Sequence, residues 1–98
     1  MKKLHFSNTL EFETLFKNQS KDIIETIVKG IEKSILENKD SAELFRITFE
    51  ETEIAYEISL PKEEWISSLD NCLAYYHEND SVDDCIDTWK LLEAVKTL

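Results

Sequence analysis

Glycine and proline are almost missing from this chain: Gly30 and Pro61 are the only ones in 98 residues. So few breakers leave little room for long loops, and no linker, repeat or low-complexity tract is visible. Long hydrophobic runs are missing too, since the apolar stretches extend only a few residues, so no membrane span is expected. The opening "MKKLHFSN" has two lysines but no apolar segment behind them. A secretory signal is therefore not expected, and the cytoplasm is the expected compartment. Without secretion, the sequons "NQS" and "NDS" read as chance matches. Basic residues are absent from Glu63 through Trp89. That gap argues against direct nucleic-acid binding, which needs a basic footprint on phosphates, and against an anionic membrane surface.

What is present belongs to a folded protein. Apolar residues make up 42% and aromatics number ten, so the high net charge does not signal disorder. Residues 1–98 suffice for a single small globular domain with one modest core. The net charge of −10 is unevenly placed. Residues 1–49 hold eight Lys/Arg against eight Asp/Glu, whereas residues 50–98 hold three lysines against thirteen acids. A basic partner is favoured by that asymmetry, and acidity as a plain aid to solubility is the alternative.

The hydrophobic period changes twice along the chain. "KLHFS" reads as a short strand with Leu4 and Phe6 on one side. Asn8, three residues before Glu11, forms a capping box for a short first helix with Phe12, Leu15 and Phe16 on one face. A second helix over residues 21–38 carries the stripe Ile24, Ile27, Val28, Ile31 and Ile35, with Ser20 as its cap. Gly30 in its middle costs about 1 kcal/mol relative to Ala, which close packing against another element would explain. Period two follows, with Phe45, Ile47 and Phe49 on one face and then Ile54, Tyr56 and Ile58, across a polar break without glycine. This pattern predicts an antiparallel hairpin over residues 43–59 with one buried face and a longer loop.

Pro61 opens a third helix, whose stripe is Trp65, Leu69, Cys72, Leu73 and Tyr76. The chain turns near Asn79, and Ser81 starts a fourth helix with Val82, Cys85, Ile86 and Trp89 as its core stripe. So short a connection predicts an antiparallel pair of helices. The fold class is thus α+β: two N-terminal helices, an antiparallel β-hairpin with room for a short N-terminal third strand, and a C-terminal αα-hairpin. Trp65, Tyr56, Tyr76 and Trp89 are expected in the core. Cys72 and Cys85, equidistant from the turn, are expected to be buried near each other as reduced thiols.

The stretch "HENDSVDDCIDTW", residues 77–89, holds five carboxylates. It is not a calcium loop. Counted from Asp80, the third, sixth and twelfth positions are Val82, Cys85 and Leu91, where an EF-hand needs an oxygen ligand, a glycine and a glutamate. Zinc would need more soft ligands than the two cysteines and His77 supply. Asp80, Asp83, Asp84 and Asp87 are instead spaced i, i+3, i+4, i+7, one face of a helix. No acid–base pair, phosphate loop or nucleophile constellation is evident, so no catalytic, cofactor or metal residues are expected.

Binding is the expected role. Glu78, Asp80, Asp83, Asp84 and Asp87, with Tyr75 and Leu91 as contact residues, make the candidate partner surface. The expected partner is a basic protein such as a nuclease or another nucleic-acid-binding protein. The expected function is that of an acidic, non-catalytic inhibitor or regulator, in the manner of immunity proteins or the nucleic-acid mimics of phage and mobile elements. That comparison is one of composition. The alternative is a structural, adaptor or chaperone-like module in which the helical hairpin docks or forms a homodimer through an apolar edge.

Overall fold

A computed structural model describes residues 2–17 and 21–98. It is α+β, with the order β1 (Lys2–Phe6), α1 (Thr9–Lys17), α2 (Lys21–Leu36), β2 (Ser41–Phe49), β3 (Ala55–Pro61), α3 (Trp65–Glu78) and α4 (Val82–Lys96). The cap proposed at Ser20 lies outside the described residues.

The sheet runs β1-β2-β3. β1 lies parallel to β2, with Leu4 beside Ile47 and Phe6 beside Phe49. A parallel neighbour requires a crossover, and α1 with α2 supplies it. β2 and β3 pair antiparallel, joined by the glycine-free loop of residues 50–54. A bulge between Glu43 and Phe45 breaks the alternation, so Leu44 and Phe45 are both buried.

Leu44 explains the glycine in α2. A Cβ on Gly30 would stand 2.5 Å from Leu44 Cδ2, so the helix approaches β2 more closely than alanine permits without moving Leu44. The α2 stripe is as the period indicates: Ile24 and Ile31 are buried, while Ile27, Val28 and Ile35 pack against buried neighbours.

Local hydrogen bonds set the helix ends. The Glu11 amide donates to Asn8 Oδ1 at 2.9 Å, and Glu11 Oε2 accepts from the Ser7 amide at 3.1 Å, one residue earlier than in a standard capping box. α2 and α3 stop in the same way. Asn38 and Asp80 adopt left-handed backbones at φ 56° and 54°. The next residues, Lys39 and Ser81, donate back five positions to the Ser34 and Tyr76 carbonyls at 2.9 and 3.0 Å. Asn and Asp tolerate this conformation, so each helix ends without a glycine.

One main core joins the sheet to α2, α3 and α4 through Phe45, Ile47, Ile31, Trp65, Leu69, Leu92 and Val95. Pro61 closes β3 instead of opening α3, and a single 3₁₀ turn, Lys62–Glu64, leads into the helix. Trp65 is fully buried and its indole Nε1 donates to the Leu60 carbonyl at 2.8 Å, tying α3 to the end of β3.

Two core expectations are corrected. Ile54, in the loop before β3, and Tyr56 of β3 are 57% and 49% exposed, and an open groove lies over Phe49, Tyr56 and Ile58. In α4, Val82, Ile86 and Trp89 are 65%, 46% and 53% exposed, and the buried residues are Thr88, Leu92 and Val95. The helix sits rotated from the orientation that its largest apolar residues suggest. The stripe Cys85, Thr88, Leu92, Val95 stays free of charge to the end of the helix, whereas Val82, Ile86, Trp89 runs on into Glu93 and Lys96.

Candidate functional site

Rotation of α4 redistributes the carboxylates. Asp80 is not on the helix; its left-handed backbone ends α3, and it stands with Glu78 at the tip of the helical hairpin. Asp83 is exposed in the first turn of α4, where the positive helix end favours an acid. Ser81 occupies the cap position but makes no side-chain cap bond there; its carbonyl accepts the Cys85 amide at 2.9 Å. Asp84 and Asp87 turn toward α2. With Glu25, Glu32, Lys29 and Tyr76 they line a shallow concavity of about 260 Å³. Four carboxylates and one ammonium line it, and with Glu25 paired to Lys21 it remains net negative.

The five acids therefore form no single face. Asp83, Asp84 and Asp87 share one side of α4, and Glu78 and Asp80 extend that charge to the tip. Among the described residues none of the five takes part in an ion pair; the pairs that form are Lys2–Asp22, Lys21–Glu25, Lys39–Glu37 and Lys96–Glu93.

The two contact candidates are less free than expected. Leu91 is half-buried against the main core. Tyr75 is half-buried and meets Tyr76 edge-to-face at 5.7 Å. The apolar side chains beside the acids that do face solvent are Val82, Ile86 and Trp89. Spaced by four and three, they make one ridge on α4 next to the acidic side.

A second small core, Ile24, Cys72 and Tyr76, lies beneath the concavity, with Cys85 packed against it. Both thiols are free. Cys72 is buried but Cys85 only half so, which corrects the expectation that both are enclosed. Alkylation in the folded state is accordingly expected to be fast at Cys85 and slow at Cys72. Mass spectrometry after a short pulse reads the order, and equal rates would count against it.

Burial pushes the Cys72 thiol from 9.0 up to about 11. Burial also raises the Tyr76 phenol, and the charges of Asp84 and Glu25 add to it, taking it from 10.0 to about 12. Both groups hold their protons in the folded chain at pH values where the unfolded chain releases them. The stability they carry is complete below about pH 9 and is lost as the pH rises toward 11 and 12. Melting temperature measured from pH 8 upward should fall through that window. In a Tyr56→Phe/Tyr75→Phe background, Asp84→Asn should lower the pH at which the Tyr76 phenolate absorbs. Titration of Tyr76 near pH 10 before that change would contradict the burial.

Among the described residues no three His, Cys, Asp or Glu side chains are grouped so as to hold a metal ion, and no helix is long and apolar enough to cross a membrane. His77 is exposed, and His5 Nδ1 lies 2.9 Å from Thr48 Oγ1 on the open side of the sheet. Compared with protein-family models, curated proteins and solved structures, the chain finds no match.

Proposed function

We propose that this chain is a small non-catalytic inhibitor or regulator that binds a basic, nucleic-acid-handling protein through the outer surface of α4. The observation that carries the reading is the pairing on one helix of a solvent-facing apolar ridge with carboxylates that form no ion pair among the described residues. An exposed Trp supplies large contact area at low entropy cost, and a ring of like charge steers a partner of opposite sign and sets its orientation. A Lys/Arg-lined cleft that takes phosphates would accept Asp83, Asp84 and Asp87 in their place. Immunity proteins and nucleic-acid mimics act in this manner, and the likeness is one of charge and size.

Capture from an extract of the native host tests it. Immobilised wild type should retain a nucleic-acid-binding protein, duplex DNA or RNA should compete for it, and Asp83→Lys/Asp87→Lys should lose it. Retention of the same proteins by the charge-reversed variant, with no competition by nucleic acid, would refute the reading.

The apolar ridge also favours a second reading, an adaptor that docks or self-associates through Val82, Ile86 and Trp89 with the acids as a solvated border. Sedimentation separates the two. Concentration-dependent dimers that Trp89→Ala abolishes and salt leaves unchanged belong to the second reading.

A further inference from the structure

The uncovered end of the sheet offers a second binding site, remote from α4 in the chain. Phe12 of α1, Phe49 of β2 and Tyr56 of β3 form an edge-to-face row with centroids 5.9 Å apart at each step. With Ile47 and Ile58 they floor an open groove of about 430 Å³ between α1 and β3. Tyr56 stands opposite the buried Ile47 in the ladder, so it belongs to the core-facing side of the sheet, yet it is 49% exposed. Carboxylates stand along the rim: Glu13 and Glu51 line the groove, no Lys or Arg among the described residues does, and Glu50 and Glu53 are exposed in the adjoining loop. Glu57 also borders it, but pairs in register with Arg46 and is the less negative side. The groove is bounded by an edge strand. β3 bonds to β2 on one side only, and its other backbone edge has no strand partner among the described residues.

We propose that this groove takes a basic, extended segment of a partner protein, added to β3 as a fourth strand. Its lysines or arginines would lay their apolar stems over Phe12, Phe49 and Tyr56 and bring their charged ends to Glu13 and Glu51. Strand addition uses the free backbone groups for affinity and the groove for side-chain selection. An aromatic floor under a carboxylate rim suits a cationic side chain whose stem is apolar. The complementary charge argues against a second copy of this chain, because a molecule of net charge −10 repels its own kind.

The probe is a short synthetic peptide alternating Lys and Val, titrated into the intact chain and followed by amide chemical shifts. Shifts are expected at Ala55–Pro61 and around Phe12, and not along α4. Replacing Lys by Glu in the peptide should weaken binding by at least about tenfold, as should Glu13→Lys/Glu51→Lys in the protein. Both glutamates are exposed, so the variant keeps its fold, which its unchanged spectrum elsewhere verifies. N-methylation of one set of alternate peptide nitrogens should abolish binding, while methylation of the other set should not. Equal binding of the acidic peptide, indifference to both methylation patterns, shifts confined to α4, or a dimer in place of a peptide complex would each overturn the proposal. Asp83→Lys/Asp87→Lys should leave peptide binding intact, which separates this site from the surface on α4.

Discussion

Trp65→Ala is expected to cost about 3–5 kcal/mol, enough to leave a chain of this size near the edge of folding. The indole is fully buried between the end of β3 and the start of α3, among the residues that join sheet to helices. Its removal opens a cavity where several elements meet, so relaxation of one element cannot fill it. It also takes away the Nε1 donor on which the Leu60 carbonyl relies at 2.8 Å. Trp65→Phe keeps most of the ring but removes the donor, and should cost less than the alanine, with about 1–3 kcal/mol from the unsatisfied carbonyl added to a smaller cavity. Leu69→Ala, equally enclosed, belongs in the range of about 2–5 kcal/mol. Denaturant midpoints read all three, and a Trp65→Ala loss no larger than that of a surface substitution would show the core to be elsewhere.

Trp89→Ala is expected to do the reverse: little to stability and much to binding. At 53% exposure the side chain gives the core little, so the change in unfolding free energy should stay within about 0.5 kcal/mol. If the ridge on α4 docks a partner, Trp89 is its anchor. Truncation should then weaken the complex by at least about 2 kcal/mol, roughly thirtyfold in Kd. The two tryptophans thus test the rotation of α4 without a structure of the complex. Equal destabilisation by Trp65→Ala and Trp89→Ala would mean that Trp89 faces the core after all, and the surface described for α4 would not exist.

Much of the architecture is legible in the sequence because local signals and packing agree there. The α2 stripe, the alternation through Phe45, Ile47 and Phe49, the capping pair Asn8 and Glu11, and the close approach at Gly30 each have one cheap solution. The misread places are those where size and polarity pull apart. In α4 the larger apolar residues, Ile86 and Trp89, outweigh Cys85 and Thr88 on inspection, yet only the side with the smaller residues continues uncharged to Val95. In β3, alternation correctly assigns Tyr56 to the inner face but cannot say whether anything covers that face. Covering depends on where α1 comes to rest over β2, a long-range matter. The acidic stretch divides for a similar reason. Spacing alone puts Asp80 on a helix face with Asp83, Asp84 and Asp87, whereas the turn between α3 and α4 needs a residue that accepts a left-handed backbone, and Asp80 serves there.

A docking role for the acidic side of α4 would carry a kinetic signature that separates it from solubilising charge. Exposed carboxylates that steer a partner act chiefly on the association rate, and salt screens them over about 10 Å at 0.1 M. Asp87 is the cleanest probe, since it lies beyond the first turn of α4, where Asp83 and Asp84 also steady the helix by roughly 0.3–1 kcal/mol each. The decisive measurement is therefore the association rate of the captured partner, for wild type and Asp87→Lys, from low to high ionic strength. The wild-type rate should fall steeply with salt, Asp87→Lys should be several-fold slower at low salt with an unchanged melting temperature, and the two should converge at high salt. Rates indifferent to both the reversal and the salt would make the carboxylates a solvated border and contradict a docking surface for a basic partner.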